Sequence, residues 1–353
     1  MKVPTVKPPA VEPPANLQSA PPSNVAARRA AVIIGVLLAV ALITTATLSL
    51  IANSLAGTRH EASASATGVT VATFATLPGD KAYPVGIARA ADGTFYVSTL
   101  GSGAIYKASA DGKLTPLTLS GTGLTAPAAM ALSPDGSLYV ADFTSTDPQT
   151  SGGTIKRMTP AGSLSVYATT QKQYFLSHMA FDAQSNLYIT FPGVGEVWRY
   201  TTNGTGTLWL KLDPVGQTAG QPTGIVYDKA ANAFVIGDAG TGTLYRVAVK
   251  ADGSADRPVI VYEQGGLEIQ AVTSDEKGRL LFSAWVHDNG QLARVDADGK
   301  HYVLLAQSFR APLDVLAADG KIYVVNSDLQ GLFPRLSAHP PFTIDVVNVP
   351  PTL

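Results

Sequence analysis

Residues 83–109 read YPVGIARAADGTFYVSTLGSGAIYKAS, and this stretch decides the fold. An apolar run from Tyr83 meets a turn at Asp92-Gly93, a second run follows at Phe95-Tyr96-Val97, and a third ends at Ile105-Tyr106. Asp-Gly between alternating apolar runs reads as a tight hairpin, because glycine adopts the positive φ of such a turn without a steric clash. The phrase returns five times. Its copies are APAAMALSPDGSLYVADF from Ala126, FLSHMAFDAQSNLYITFPGVGEVWRY from Phe175, QPTGIVYDKAANAFVIGDAGTGTLYRV from Gln221, LEIQAVTSDEKGRLLFSAWVHDNGQLARV from Leu267 and APLDVLAADGKIYVVNSDLQGLF from Ala311. The second-run markers Phe95, Leu138, Leu187, Phe234, Leu280 and Ile322 stand 42 to 49 residues apart. A period in the forties is that of a four-stranded propeller blade, so six copies predict an all-β, six-bladed β-propeller over residues 69–350. The runs KLTPLTL, SLSVYAT, TLWLKL, PVIVYE and KHYVLLA supply outer strands after the first five units.

One blade has two apolar faces, and only neighbours in a ring bury both. The ring must also close, since an open edge would leave unpaired backbone groups. Val69–Thr76 (VTVATFAT) and Phe342–Val347 (FTIDVV) compete for the place of the closing strand.

Composition narrows the function classes. Charged residues are 14% of the 353, below the roughly 25% of ordinary soluble chains, and the net charge is -1. No basic stripe is present, so no nucleic-acid partner is expected. Cysteine is absent, which excludes disulfides, thiolate metal sites and cysteine nucleophiles, and points to a bacterial exported protein. There is no Gly-rich phosphate loop, no HExxH and no nucleophile elbow.

Upstream of the repeats, no charge occurs between Arg29 and Arg59, and residues 30–50 are dominated by Ala, Val, Ile and Leu. About 20 such residues span a bilayer core. The sequence therefore predicts a single transmembrane anchor at 30–52, before it a Pro-rich cytoplasmic tail at 1–29 and after it a flexible stalk at 53–68. Arg28 and Arg29 orient the N-terminus to the cytoplasm and the propeller to the extracytoplasmic side. A long signal peptide cut near Ala62-Ser63-Ala64 is the alternative, and would give a secreted propeller.

The phrases PxGI, DGxxYV and GxIYR, spread over residues 69–350, resemble the senescence-marker-protein/gluconolactonase family and the related NHL-repeat and streptogramin-lyase propellers. That resemblance implies a divalent metal in the axial channel, held by a Glu of the first blade and by Asn and Asp side chains of inner strands. The corresponding column here is Val85, Ala128, Ser177, Thr223, Gln270 and Leu313. Thr223 stands where the family has Asn, and Gln270 where it has the Asp that also acts as base. No metal site and no cofactor are therefore expected, and a divalent cation such as calcium enters only with an enzymatic reading. The next column is Gly86, Ala129, His178, Gly224, Ala271 and Asp314, in which His178 and Asp314 are the candidate acid–base pair. Ser177, Thr223, Glu268 and Gln270 are the candidate ligand-binding groups of the channel.

Other recurring residues read as structure. Asp142, Asp238 and Asn326 follow the second strands and suit turns that bond their own backbone, and Trp198, Trp209 and Trp285 suit blade packing. Two functional readings follow. The first is a membrane-anchored extracytoplasmic module that binds a small molecule, polymer or protein at the channel face, without the family metal. The alternative is a divergent lactonase or ester hydrolase, or a lyase, with its site at the axial channel.

Overall fold

The Asp-Gly turns set the strand ends. The computed structural model describes residues 62–353 apart from 122, 146–152, 171–175, 215–217, 287–288 and 330–338. In it Gly93, Gly136 and Gly320 lie at φ of 89°, 78° and 70°, the left-handed conformation that those turns require. Each turn joins an inner strand to its antiparallel neighbour, and six sheets result.

Blade 1 contains Pro84–Arg89, Phe95–Thr99, Ala104–Ala108 and Leu114–Pro116. Blade 2 contains Ala126–Leu132, Leu138–Phe143, Gly153–Met158 and Ser163–Thr169. Blade 3 contains Met179–Phe181, Leu187–Phe191, Glu196–Tyr200 and Gly206–Lys211, and blade 4 contains Pro222–Asp228, Ala233–Asp238, Thr243–Ala248 and Val259–Glu263. Blade 5 contains Glu268–Ser274, Leu280–Val286, Asn289–Val295 and Tyr302–Phe309. Two short segments extend blade edges: Ser120–Gly121 pairs with the outer strand of blade 2, and Ser63–Ala64, within the stretch read as a stalk, pairs with that of blade 5.

Blade 6 joins the two ends of the repeat region. Its inner strands are Pro312–Ala318 and Lys321–Asn326, its third is Thr343–Asn348 and its outer strand is Thr70–Thr76. The two candidate closing segments thus do not compete: they pair with each other, from Thr70 opposite Asn348 to Thr76 opposite Thr343. Phe74 brings the closing strand into the core, with ring centroids 5.2 Å from Phe95 and 4.8 Å from Tyr323.

The buried apolar residues divide into six clusters, one at each junction between blades. The cluster between blades 6 and 1 holds Phe95, Val97, Tyr323 and Phe342. That between blades 3 and 4 holds Tyr188, Ile225, Phe234 and Ile236. Tyr188 lies T-shaped against Trp209, whose indole N–H donates to the Gly253 carbonyl at 3.1 Å, so Trp209 is a packing residue.

Asp142, Asp238 and Asn326 do more than close their own turns. Each is buried and reaches back to the chain that leads into its own blade's inner strand. Asp142 Oδ1 accepts from the backbone N–H of Thr125 and Ala126, Asp238 Oδ1 from that of Gln221, and Asn326 Oδ1 from that of Arg310. Asp238 also accepts from Gly240 in its own turn. The expected local bond is seen at Asp238, and at all three residues the long-range one positions the connection.

The fold class is corrected in one respect. Described helical structure is confined to short 3-10 turns such as Pro192–Val194, and no described helix is long and apolar enough to cross a membrane. The segment 30–52 read as an anchor, and the tail at 1–29, lie outside the described residues. The architecture established is an all-β propeller, with no membrane-spanning helix among the described residues. The membrane partner and the single-pass, extracytoplasmic placement that rested on that helix are corrected with it.

Two predictions follow from the closure and the buried acids. Phe342 is fully buried at the seam, so Phe342→Ala should lower unfolding free energy by about 3–5 kcal/mol in urea titrations. Burial pushes the Asp238 carboxyl up from the ordinary aspartate range, although its backbone bonds with Gln221, Gly240 and Thr241 act the other way. A raised folded-state value gives stability that is full below the unfolded value of about 3.9 and is lost as pH rises through the folded one. Asp238→Asn keeps the acceptor oxygen and cannot ionise, as Asn326 does in blade 6. The variant should melt higher than the parent at pH 7, with the gap closing toward pH 4.

Candidate active site

Small residues after a proline are the sequence signature of the inner strands, and the structure shows their physical use. Pro84, Pro127, Pro222 and Pro312 each precede a β-bulge, and blade 5 carries one after Ile269. In every case two consecutive residues oppose one residue of the second strand. In blade 3 the same place is held by Ser177 and His178, both bonded to Thr190: Ser177 N–H donates to its carbonyl at 2.9 Å, and Thr190 N–H to the His178 carbonyl at 3.1 Å. The bulged pairs coincide with the two columns read from the sequence.

Crowding dictates which residues those columns accept. A Cβ on Gly86 would lie 2.7 Å from the Ala128 carbonyl oxygen, and one on Gly224 would lie 2.4 Å from the Val272 nitrogen. Neighbouring inner strands pack too closely there for a side chain. His178 and Asp314 are the two large side chains of that column, and they stand in blades 3 and 6, which face each other across a six-fold ring. They meet: His178 Nε2 lies 3.6 Å from Asp314 Oδ1, with side chains 16% and 12% exposed. The pair bridges the axis, with Asp314 buried and His178 partly exposed.

Each partner is held by backbone. Asp314 Oδ2 accepts from Ile87 N–H of the adjacent blade at 2.9 Å, and Oδ1 from Val315 N–H at 2.8 Å. His178 N–H donates to Thr190 Oγ1 at 3.0 Å, and its Nδ1 lies 3.0 Å from Ser177 Oγ. A bulge brings consecutive side chains to one side of the sheet, whereas a regular strand would separate them.

The other candidates divide. Thr223 is buried, and its hydroxyl donates to the Ile269 carbonyl of blade 5 at 2.6 Å, with the Gly237 carbonyl at 3.2 Å. It ties blade 4 to blade 5, much as the Ser98 hydroxyl ties blade 1 to Ala128 of blade 2. Gln270 is half-buried at the blade 5 bulge and donates to the Glu268 carbonyl at 3.2 Å. Glu268 opens the same inner strand, opposite Trp285.

The metal that the resemblance implies does not fit these residues. The bulge column offers no carboxylate, the Thr223 hydroxyl is committed to backbone carbonyls, and Asp314 is committed to two N–H groups and His178. Sequence reading missed one group: Asp296, Asp298 and His301 place ligand atoms within 4.8 Å of one another. They lie on the turn between the third and outer strands of blade 5, at the end of the blade away from His178, and two of the three are exposed.

No protein-family model matches the sequence, and no curated protein matches it either. Solved structures do. Virginiamycin B lyase from Staphylococcus aureus is 14% identical, with a TM-score of 0.54 over 80% of this chain and 99% of the lyase. A gluconolactonase from Xanthomonas campestris is also 14% identical, with a TM-score of 0.57 over 80% of this chain and 90% of the other. The PQQ-bound aldose sugar dehydrogenase of Streptomyces coelicolor is 16% identical, with a TM-score of 0.50 over 82% and 98%. Fold and closure together define the class: a six-bladed β-propeller. The chain shares its fold with propellers that include lactonases, lyases and sugar dehydrogenases, and identity this low shows the fold alone. The first functional reading, a membrane-anchored binding module, is corrected: no described helix is long and apolar enough to supply the anchor.

If Thr223 acts as a tie and not as a ligand, Thr223→Val should leave the Ile269 carbonyl unpaired and cost about 1–3 kcal/mol in urea denaturation. Any activity measured below the melting transition should be retained within a few-fold.

Proposed function

We propose that the protein is a divergent propeller enzyme that cleaves a lactone or ester bond of a small molecule at the mouth of its axial channel, as a hydrolase or a lyase. The observation that carries this reading is the His178–Asp314 pair, joined across the axis at 3.6 Å with His178 partly exposed. Close-packed glycine and alanine fill most of that column, and two polar, chemically matched side chains at its facing positions have no packing role that a smaller residue would not meet.

The division of labour follows from the bonds. Asp314 receives two backbone N–H groups, which fix its orientation. With the Nε2 proton directed at Asp314, the imidazole presents its Nδ1 lone pair on the other side, where it accepts a proton from a hydroxyl or a water. Asp314 thus orients His178 and stabilises the imidazolium when it forms, and His178 moves the proton. The neighbouring chemistry agrees. On this fold a lyase and a gluconolactonase occur, and a catalytically inactive form of the staphylococcal lyase carries alanine in place of a histidine.

Turnover of a panel of γ- and δ-lactones and aryl esters by the purified protein tests the reading. His178→Gln should lower kcat/KM by about 10²–10⁴, the usual contribution of general acid–base catalysis. Asp314→Asn should lower it by at least about tenfold, since the amide no longer holds the imidazole as the carboxylate does. Unchanged rates in both variants would overturn the proposal.

A further inference from the structure

Resting on the channel-mouth reading above, we infer that Ser177 is the nucleophile of a Ser177–His178–Asp314 relay, so that bond cleavage passes through a covalent acyl-enzyme and not through direct attack of water. The three groups form one chain of contacts. Ser177 Oγ lies 3.0 Å from His178 Nδ1, and His178 Nε2 lies 3.6 Å from Asp314 Oδ1. The second distance is long for a hydrogen bond, as is common before substrate closes a site.

The bulge is what makes a Ser-His neighbour pair usable. In an ordinary strand, adjacent side chains point to opposite faces, and a serine next to a histidine would lie on the far side of the sheet. Here both residues oppose Thr190, and their side chains meet. Hydroxyls of nearby strands behave differently: Ser98, Thr190 and Thr223 all donate to a carbonyl of the following blade. Ser177 has the imidazole as its hydrogen-bond partner and is half-buried. A serine activated by a base that a carboxylate orients is the general arrangement for acyl transfer. It also answers how a propeller whose bulge column lacks carboxylates performs ester chemistry.

The step balances within the three residues, substrate and water. Ser177 Oγ attacks the carbonyl carbon of the ester or lactone and passes its proton to His178 Nδ1. The carbon–alkoxy bond breaks, and the departing alkoxide takes that proton, leaving an acyl group on Ser177. Water then attacks the acyl carbon, giving its proton to His178 and from there to Ser177 Oγ as the acid leaves.

The sequence contains no cysteine, so Ser177→Cys creates the only thiol in the protein. Iodoacetamide alkylation of that variant at pH 6.5 should run at least tenfold faster than in the Ser177→Cys, His178→Gln double variant, because an imidazole-paired thiolate forms well below the ordinary thiol value of about 8.5. Equal, slow rates that rise only near pH 8 in both variants would overturn the relay. In the parent protein a fluorophosphonate probe should add one phosphonyl group, mapped to Ser177 by peptide mass, and the adduct should be absent from Ser177→Ala and His178→Gln. No adduct on Ser177 would overturn it too. Aryl-ester turnover separates the two readings: activity lost in His178→Gln but retained in Ser177→Ala means that His178 acts on water, and the nucleophile assignment falls while the acid–base site stands. Fast alkylation at position 177 without turnover of any lactone or ester sustains the relay and overturns the substrate class.

Discussion

Closure of the ring is the interaction on which the rest depends. Blade 6 exists only because Thr70–Thr76, from before the first repeat, pairs with Thr343–Asn348, from after the last. Without it the third strand of that blade is an open edge, and the Phe74, Phe95 and Tyr323 rings lose one of three members. Aromatic groups of this size carry much of the burial at a junction. The six apolar clusters are small and separate, one per junction, so no central core holds the blades if one junction opens. Closure also brings Asp314 within reach of blade 1, where Ile87 N–H fixes it. The seam of the fold and the candidate site therefore share a residue.

Polar groups at the channel end work as ties between segments. Asp142, Asp238 and Asn326 hold the connections that lead into their blades, and Asp142 is in turn paired with the buried Lys156 at 2.7 Å. Ser98, Thr190 and Thr223 join blades 1, 3 and 4 to the blade that follows through a carbonyl. A buried hydroxyl or carboxylate is tolerated when its bonds are made, and these bonds are made to backbone, which does not rotate away. The result is a rigid frame around two side chains that meet across the axis. Precise placement of reacting groups is what a frame of this kind supplies to catalysis.

The chain shares its architecture with lyases, lactonases and dehydrogenases, and fold alone does not choose among such chemistries. The choice rests on the residues at the bulges. Where the resemblance leads one to expect Asn and Asp ligands for a metal, this chain has Thr223 and Gln270, and it places a serine, a histidine and an aspartate within one contact chain. On the function proposed above, the bulge column that lacks carboxylates and the populated column beside it act together, as a change in how the channel mouth handles an acyl group.

The repeats themselves were legible in the sequence because they are local. Turn chemistry at Asp92-Gly93 and its counterparts, alternation within each strand and the period of the units all follow from neighbours along the chain, and so did the two inner-strand columns, since a bulge after proline recurs at the same offset. Pairing of His178 with Asp314 was legible only as membership of one column. That the two touch depends on the number of blades, which sets 3 opposite 6, and on glycine and alanine elsewhere in the column drawing the inner strands together. Three further facts were decided by tertiary structure alone. Val69–Thr76 and Phe342–Val347 are partners and not rivals, because strand order in the closing blade is set by which edges remain free. Thr223 is a tie and not a free polar group, because its hydroxyl meets a carbonyl of a strand 46 residues away. Ser177 contacts the imidazole because the bulge turns adjacent side chains to the same side, a geometry that alternation along a strand would have ruled out.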